Sequence, residues 1–154
     1  EAAAAAPELM RARAARADID LRRIDVRSGT RDYLRDYLDV DIILDTYPYQ
    51  GGGTTCEALL MGLPVVTRAG TRHGARFGTS ILYNAGLGEL VADTADAYVE
   101  RAALLARDGE LLAALHGAVR RMMRASPLMD GAQYVRDMEE AYRMIWERYL
   151  NEEA

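Results

Sequence analysis

Cysteine is nearly absent. Cys56 is the single thiol in 154 residues, so no disulfide can close within the chain, and this usage fits a reducing, cytoplasmic setting. Histidine is scarce as well: two histidines and one cysteine argue against a structural zinc site of the usual kind. No apolar run approaches the roughly 20 residues that span a bilayer. Positive charge is not in excess. Nineteen basic against 24 acidic side chains leave a net charge of −5, which speaks against a nucleic-acid or membrane-surface partner, because both favour a basic face. The alanine-rich start, residues 1–7, has neither the basic n-region nor the long apolar core of a signal peptide. It also has no initiator methionine and opens in mid-helix, so the chain is expected to be a piece of a longer polypeptide. No internal repeat is visible.

What is present reads as a globular α/β chain. Half the residues are hydrophobic and 28% are charged, enough for a solvated domain with a real core. Residues 8–17 are good helix formers. Arg22 to Val26 reads as a short strand, with Ile24 and Val26 on one face. Ser28-Gly29-Thr30 offers an N-cap, and a short helix is expected from Thr30 to Leu38. Asp41 to Asp45 is an apolar run between carboxylates, the look of a strand buried on both faces; the two aspartates bracket it and do not read as a catalytic pair. A loop with three successive glycines follows, then a helix from Thr54 to Met61. Gly62 sits where a left-handed C-cap belongs, and Pro64 follows where the helix cannot continue. Pro64 to Thr67 reads as the next buried strand. The loop from Arg68 to Gly74 leads to a helix over about 75–84, and Leu90 to Ala92 is a short strand. Thr94 caps a helix to about Arg107, and Asp108 caps another to about Arg124. Ser126-Pro127 breaks the chain. Gly131 to Leu150 is a long amphipathic helix with Tyr134, Met138, Tyr142, Ile145 and Trp146 on one side.

Strands alternating with helices predict a parallel sheet with right-handed crossovers. Ligands in such sheets bind beyond the carboxyl ends of the strands. Asp45, the triple-glycine loop, Thr67 and the His73 loop all fall on that rim.

The run from Gln50 to Glu57 (QGGGTTCE) carries the chemistry. Glycines after a strand let backbone approach a ligand closely, and the following helix presents free N–H groups and a positive dipole end. Hydroxyls of Thr54 and Thr55 add donors, which makes a good diphosphate site. The run lacks a P-loop lysine and does not match the dinucleotide fingerprint, so a tight turn leading to a capped helix is the competing reading. Thr54-x-x-Glu57 also matches a capping box; the functional alternative is a carboxylate accepting both hydroxyls of a ribose. His73 lies between Gly70 and Arg76 in a second glycine-flanked loop, where Arg72, His73 and Arg76 could line a cationic wall for phosphate; a purely structural histidine is the alternative. His116, within a late helix, reads as structural, and Cys56, with no base evident beside it, reads as a small hydrophobe.

The run from Val40 to Thr67 (VDIILDTYPYQGGGTTCEALLMGLPVVT) resembles the C-terminal catalytic lobe of the O-linked N-acetylglucosamine transferase family, which includes the plant SPINDLY proteins and many bacterial enzymes with tetratricopeptide repeats. The segments Gly70 to Leu82 (GTRHGARFGTSIL), Gly86 to Leu90, Ser126 to Leu128 and the closing helix with Trp146 continue the likeness, which covers roughly residues 20–150 and is most specific over 40–92. The resemblance implies a GT-B architecture of two Rossmann-like lobes, and inverting, metal-independent transfer from a nucleotide diphosphate to protein Ser or Thr. It implies that Gly52, Gly53 and Thr54 face the donor phosphates and that Glu57 is the ribose-binding acid. Tyr33 stands where many members carry a histidine near the nucleotide, so that contact is in doubt. The family's N-terminal lobe with its acceptor groove and candidate base, the first β-α-β of the C-terminal lobe with its phosphate-binding lysine, and the repeats are not in this sequence.

The expected fold is therefore α/β: a Rossmann-like parallel sheet with flanking helices, a partial C-terminal lobe of a GT-B glycosyltransferase over 1–125, with a helical C-terminus over 126–154 that packs on the lobe and toward the missing N-terminal one. The donor-binding residues are expected to be Gly52, Gly53, Thr54, Thr55, Glu57 and His73, with the catalytic base outside the chain, no metal and no cofactor beyond the nucleotide-sugar substrate. The expected partners are a UDP-sugar, taken as UDP-N-acetylglucosamine, and a protein acceptor held elsewhere, with no nucleic acid and no membrane. A GDP-fucose donor of SPINDLY-like kind and a non-catalytic nucleotide-binding or interaction module remain the alternatives.

Overall fold

The computed structural model describes residues 2–27 and 29–152. The chain forms two compact units, the first up to Asp39 and the second from Val40 onward.

The first unit opens with helix α1, Ala2–Arg16, which stops at Asp18 in a left-handed conformation, φ 55°. The strand expected over 22–26 does not form. The Asp20 side chain accepts the Arg22 N–H at 3.0 Å and grips the Arg22 guanidinium at 2.8 Å, and this local bonding competes with extended pairing. The result is a 3-10 turn over Leu21–Arg23. The helix expected from Thr30 to Leu38 is likewise a 3-10 helix, Tyr33–Asp39, and Ser28 of its expected cap lies outside the described residues. Arg27 binds Asp36 at 3.0 Å and Asp39 at 2.8 Å. Those carboxylates are three apart, the spacing at which side chains eclipse in a 3-10 helix.

The second unit holds the sheet. Among the described residues its strands are β1 (Ile43–Leu44), β2 (Val65–Arg68) and β3 (Val91–Ala92), in the order β1-β2-β3. Both pairings are parallel: Ile43 lies opposite Val65, and Thr67 opposite Val91. Central β2 is sealed, with Val65, Val66 and Thr67 each at 0% exposure. β1 is an edge strand in this sheet, and Leu44 is exposed there, against the expectation of burial on both faces.

Helix α2 (Gly53–Met61) joins β1 to β2. Gly62 ends it at φ 90°, its N–H donating to Ala58 and Leu59, and Leu63 N–H also reaches the Ala58 carbonyl, so the last carbonyls of the helix are satisfied. Helix α3 (Phe77–Asn84) packs on β2. Helices α4 (Ala95–Arg107) and α5 (Gly109–Ala125) start at caps the sequence announces: Thr94 Oγ1 accepts Ala97 N–H at 3.1 Å, and an Asp108 carboxylate oxygen accepts Leu111 N–H at 2.9 Å. α4 lies on β2 and β3, and α5 on α2, burying Leu59, Leu82, Leu105, Val119 and Met123. Helix α6, Gly131–Glu152, closes the chain with no buried residue; Tyr134, Tyr142, Ile145 and Trp146 are exposed on it. Among the described residues, no helix is long and apolar enough to cross a membrane.

Candidate functional site

The candidate site is built where β1 ends. Asp45, the residue after the strand, is nearly buried. Its Oδ1 accepts the N–H groups of Gly51 at 2.8 Å and Thr46 at 3.0 Å, while Oδ2 accepts the Thr67 hydroxyl at 2.7 Å. Tyr98, on α4, donates its hydroxyl to the Asp45 carbonyl at 2.9 Å. Burial, and then the nearby Asp45 charge, push the Tyr98 phenol above its ordinary pKa. The loop between Asp45 and α2 is thus pinned by the carboxylate of the residue that follows the strand.

Gln50 pins the same loop from the other side. Fully buried, it donates through Nε2 to the Arg68 carbonyl, accepts the Thr79 N–H on Oε1 at 3.3 Å, and donates its backbone N–H to the Gly74 carbonyl at 3.0 Å. The glycine loop and the His73 loop are therefore tied together, and Gln50 supplies a cap to the first turn of α3.

The three glycines differ. A Cβ on Gly51 would sit 2.6 Å from Thr55 Oγ1 and 2.7 Å from Thr54 Oγ1, so the protein itself requires glycine there; a Cβ on Gly52 or Gly53 would meet nothing within 4 Å. Gly52 is the N-cap residue of α2, and no side chain supplies a cap bond. The capping-box reading of Thr54 and Glu57 is thereby corrected: the helix starts one residue before Thr54, which lies in the first turn and cannot be the cap. Glycine at the N-cap brings no side-chain acceptor of its own to the first-turn N–H groups, which lie at the positive end of the dipole.

The expected site residues part company here. Gly53 and Thr54 are exposed at the mouth, and Gly52 and Glu57 are half-buried beside them. Thr55 is buried, and its hydroxyl donates to the Gly51 carbonyl at 2.9 Å, so it shapes the loop from within. Cys56 is partly buried, and burial first, with the Glu57 charge second, raises its thiol pKa; this is the reverse of an activated thiol. His73 is exposed and sets its ring edge-on to Phe77 at 4.9 Å, with Tyr49 edge-on to the same ring at 6.2 Å. Arg76 reaches the Gly70 carbonyl at 3.3 Å, and with His73, Ser80, Tyr83 and Asn84 it borders an open concavity of about 430 Å³. Arg72 is also exposed. Arg68, at the end of β2, lays its guanidinium over the Tyr47 ring at 4.1 Å. Tyr33 belongs to the first unit, in its 3-10 helix. His116 bonds through Nε2 with the Asp41 carbonyl at 2.9 Å, a structural contact.

Larger concavities, about 640 and 830 Å³, lie at the α4–α5 corner and at the start of α6, away from the glycine loop. They are open surface hollows without the convergent donors seen at α2, and the chemistry favours the loop. Among the described residues, no group of three or more His, Cys, Asp and Glu side chains is placed to hold a metal ion.

The sequence places Asp45 on the rim and Gln50 at the head of the glycine run, but it does not show that their side chains hold the loop. The available signal was a polar side chain on each side of a strand-to-helix glycine loop, at positions the fold buries.

Comparison with known proteins places this geometry. The profile of glycosyl transferase family 41 matches residues 5–138. The chain is 47% identical over 120 residues to a protein of Hordeum vulgare named probable UDP-N-acetylglucosamine–peptide N-acetylglucosaminyltransferase SPINDLY, covering 78% of this chain and 13% of that protein. It is 38% identical over 109 residues to the UDP-N-acetylglucosamine–peptide N-acetylglucosaminyltransferase of Caenorhabditis elegans, covering 71% of this chain and 10% of that protein. Among solved structures, the K341M mutant of the Thermobaculum terrenum O-GlcNAc transferase superposes with a TM-score of 0.84 at 38% identity, over 96% of this chain and 29% of that one. The chain thus spans about an eighth of the length of the curated relatives it matches. With the parallel strands, the open glycine turn and a profile match over most of its length, the chain belongs to glycosyl transferase family 41.

Proposed function

We propose that this chain forms the donor-binding part of a transferase that moves a sugar from a nucleotide diphosphate, UDP-N-acetylglucosamine, to a Ser or Thr of a protein acceptor, with inversion and without a metal. The observation that carries the proposal is the uncapped start of α2. A Cβ on Gly52 or Gly53 would meet nothing within 4 Å, and the N-cap residue Gly52 gives the first-turn N–H groups no side-chain cap. Those N–H groups, with the Thr54 hydroxyl, bind the diphosphate, and the helix dipole, worth roughly half a positive charge, stabilises the charge that develops on the leaving diphosphate. Glu57, one turn into the helix, takes the ribose hydroxyls. Arg72 and Arg76 supply positive charge from the neighbouring loop, and His73 a ring nitrogen for hydrogen bonding. The names of the relatives from barley (a probable UDP-N-acetylglucosamine–peptide N-acetylglucosaminyltransferase) and nematode support the choice of donor and acceptor.

Transfer also needs an acceptor held against the anomeric carbon, and such positioning accounts for roughly 7–11 kcal/mol of barrier reduction. That part belongs to polypeptide outside these residues. The test is to titrate UDP, GDP and uridine into the 15N-labelled 154-residue chain, and to incubate the chain with radiolabelled UDP-N-acetylglucosamine and a protein acceptor. Saturable shifts of the Gly52, Gly53 and Thr54 amides with UDP, weaker ones with uridine, and no label transfer are expected. Absence of UDP binding would refute the donor site, and label transfer would refute the assignment of the acceptor side to another segment.

A further inference from the structure

We propose that Asp45 is a positioning residue for the diphosphate grip, acting through the Gly51 N–H; the inference rests on the donor-site reading above and deepens it. The two carboxylate oxygens are divided. Oδ2 is committed to the scaffold, accepting the hydroxyl of fully buried Thr67 on β2. Oδ1 is committed to the loop, accepting Thr46 N–H and Gly51 N–H. A single rigid side chain thereby links the sealed central strand to the residue directly before the open Gly52–Gly53 pair.

Three further observations fix the residue and its loop in place. The Tyr98 hydroxyl holds the Asp45 carbonyl from α4. Gly78 closes the far side: a Cβ there would press on Oδ2 and lie 2.9 Å from Thr67 Oγ1. Gly51 allows the loop to lie against Thr54 and Thr55, where a Cβ would come within 2.7 Å of either hydroxyl. The loop through Thr46 and Gly51, β2 through Thr67 and α3 through Gly78 converge on one carboxylate, and α4 holds the backbone of the same residue.

The choice of an acid is informative. A negative charge near a diphosphate subsite opposes ligand binding by simple electrostatics, so a neutral acceptor would serve a purely structural role better. A charged acceptor makes shorter, stronger hydrogen bonds to N–H groups. With three donors on its two oxygens the charge is largely spent inward. Preorganised donors are what a site for developing charge needs, since a loop ordered in advance loses no further freedom when the ligand arrives. Asp45 thus trades a small repulsion for a fixed loop. It touches no donor atom itself, and its effect passes through Gly51 to the α2 N-terminus.

The experiment compares UDP binding to the 15N-labelled chain and to D45A, D45N and V119A, each below its own melting transition. Val119 is a fully buried residue of α5, so V119A lowers stability without touching the loop. D45A is expected to bind UDP about tenfold more weakly or worse, with the Gly52 to Thr54 amide shifts lost, because the Gly51 N–H is left without its charged acceptor. D45N, whose Oδ1 still accepts that N–H, is expected to stay within about threefold of the parent, and V119A likewise. In the parent chain the Gly51 amide should exchange with solvent slowly, like a strand amide, and the Gly52 amide fast; this measurement stands even if D45A does not fold. Wild-type affinity in D45A, equal losses in D45N and D45A, equal losses in V119A and D45A, or fast exchange at Gly51 would each overturn the proposal. A parent chain that binds no UDP would instead sink the donor-site reading, and this inference with it.

Discussion

Replacing Gly78 with alanine tests the crowding around Asp45 directly. In an open helix the change stabilises by about 0.5–1 kcal/mol, since glycine loses more backbone freedom on folding. At Gly78 the added methyl would press on Asp45 Oδ2, sit 2.9 Å from Thr67 Oγ1 and 3.3 Å from Thr67 Cβ. Overpacking of that kind costs about 1–3 kcal/mol. Displacing the Thr67 hydroxyl from its 2.7 Å bond to Asp45 adds a further cost of about 1.5–3 kcal/mol, the range for a hydrogen bond to a charged group. The net expectation is a loss of about 2–5 kcal/mol. For a chain of this length that lowers the melting temperature by at least about 4 °C. Gly117 is the internal reference. It lies within α5, exposed, and a Cβ there meets nothing within 4 Å, so G117A should melt about 1–4 °C higher than the parent. Scanning calorimetry on the three proteins decides. A G78A protein that melts at or above the parent would show that there is room beside Asp45, and the packing argument would fail.

Three further outcomes are expected. Glu57→Ala should weaken UDP binding about tenfold or more, the loss of hydrogen bonds to a charged group, with little change in melting; calorimetric titration reads it, and a lowered melting temperature with unchanged affinity would return Glu57 to a purely structural role. In the full-length transferase, EDTA should leave sugar transfer intact, and activity restored only by magnesium or manganese would contradict the proposed helix-terminus chemistry. The Cys56 thiol, raised by burial and the Glu57 charge, should react with iodoacetamide at a midpoint above the ordinary thiol value in the folded chain and return to that value in urea. The sign for stability follows: the neutral thiol is favoured in the fold, so this contribution is full below the unfolded-state value and is lost as pH rises through the folded one. A midpoint at or below the ordinary value would contradict the burial.

Legibility followed locality. The segment from α2 through Gly62 and Pro64 to β2 was readable because its signals are covalent: a left-handed glycine, a residue that cannot continue a helix, and an apolar run. Thr94 and Asp108 were readable because an N-cap acts across three residues. The 22–26 segment was misjudged because its alternation reads as a strand, while the Asp20 side chain captures the backbone two residues on. The Thr54–Glu57 pattern leaves two readings open for a related reason. Spacing matches a capping box, but where the helix begins is decided by Gly52 and by the Asp45 bond to Gly51, a contact across six residues that no window of periodicity contains. The buried roles of Gln50 and Thr55 depend on α3 and β2 closing over the loop, and only the assembled sheet shows that. The glycine loop is visible in the sequence; the side-chain contacts that hold it are not.

Helix α6 has a consequence for how this chain can be observed. It carries Trp146, the single tryptophan of the sequence, exposed and stacked on Tyr149 at 5.7 Å. Bonds along α6 include the local pairs Arg148 to Glu152 and Gln133 to Asp137. A solvated indole on a helix without a buried residue has an emission already close to that of tryptophan in water. Intrinsic fluorescence will therefore report on the surroundings of α6 and stay nearly silent while the β2 core comes apart, so a flat emission trace on heating is not a sign of a stable protein. Conversely, a blue shift on adding any other polypeptide would mark the α6 face being covered, read by a probe that nature has placed in this chain once.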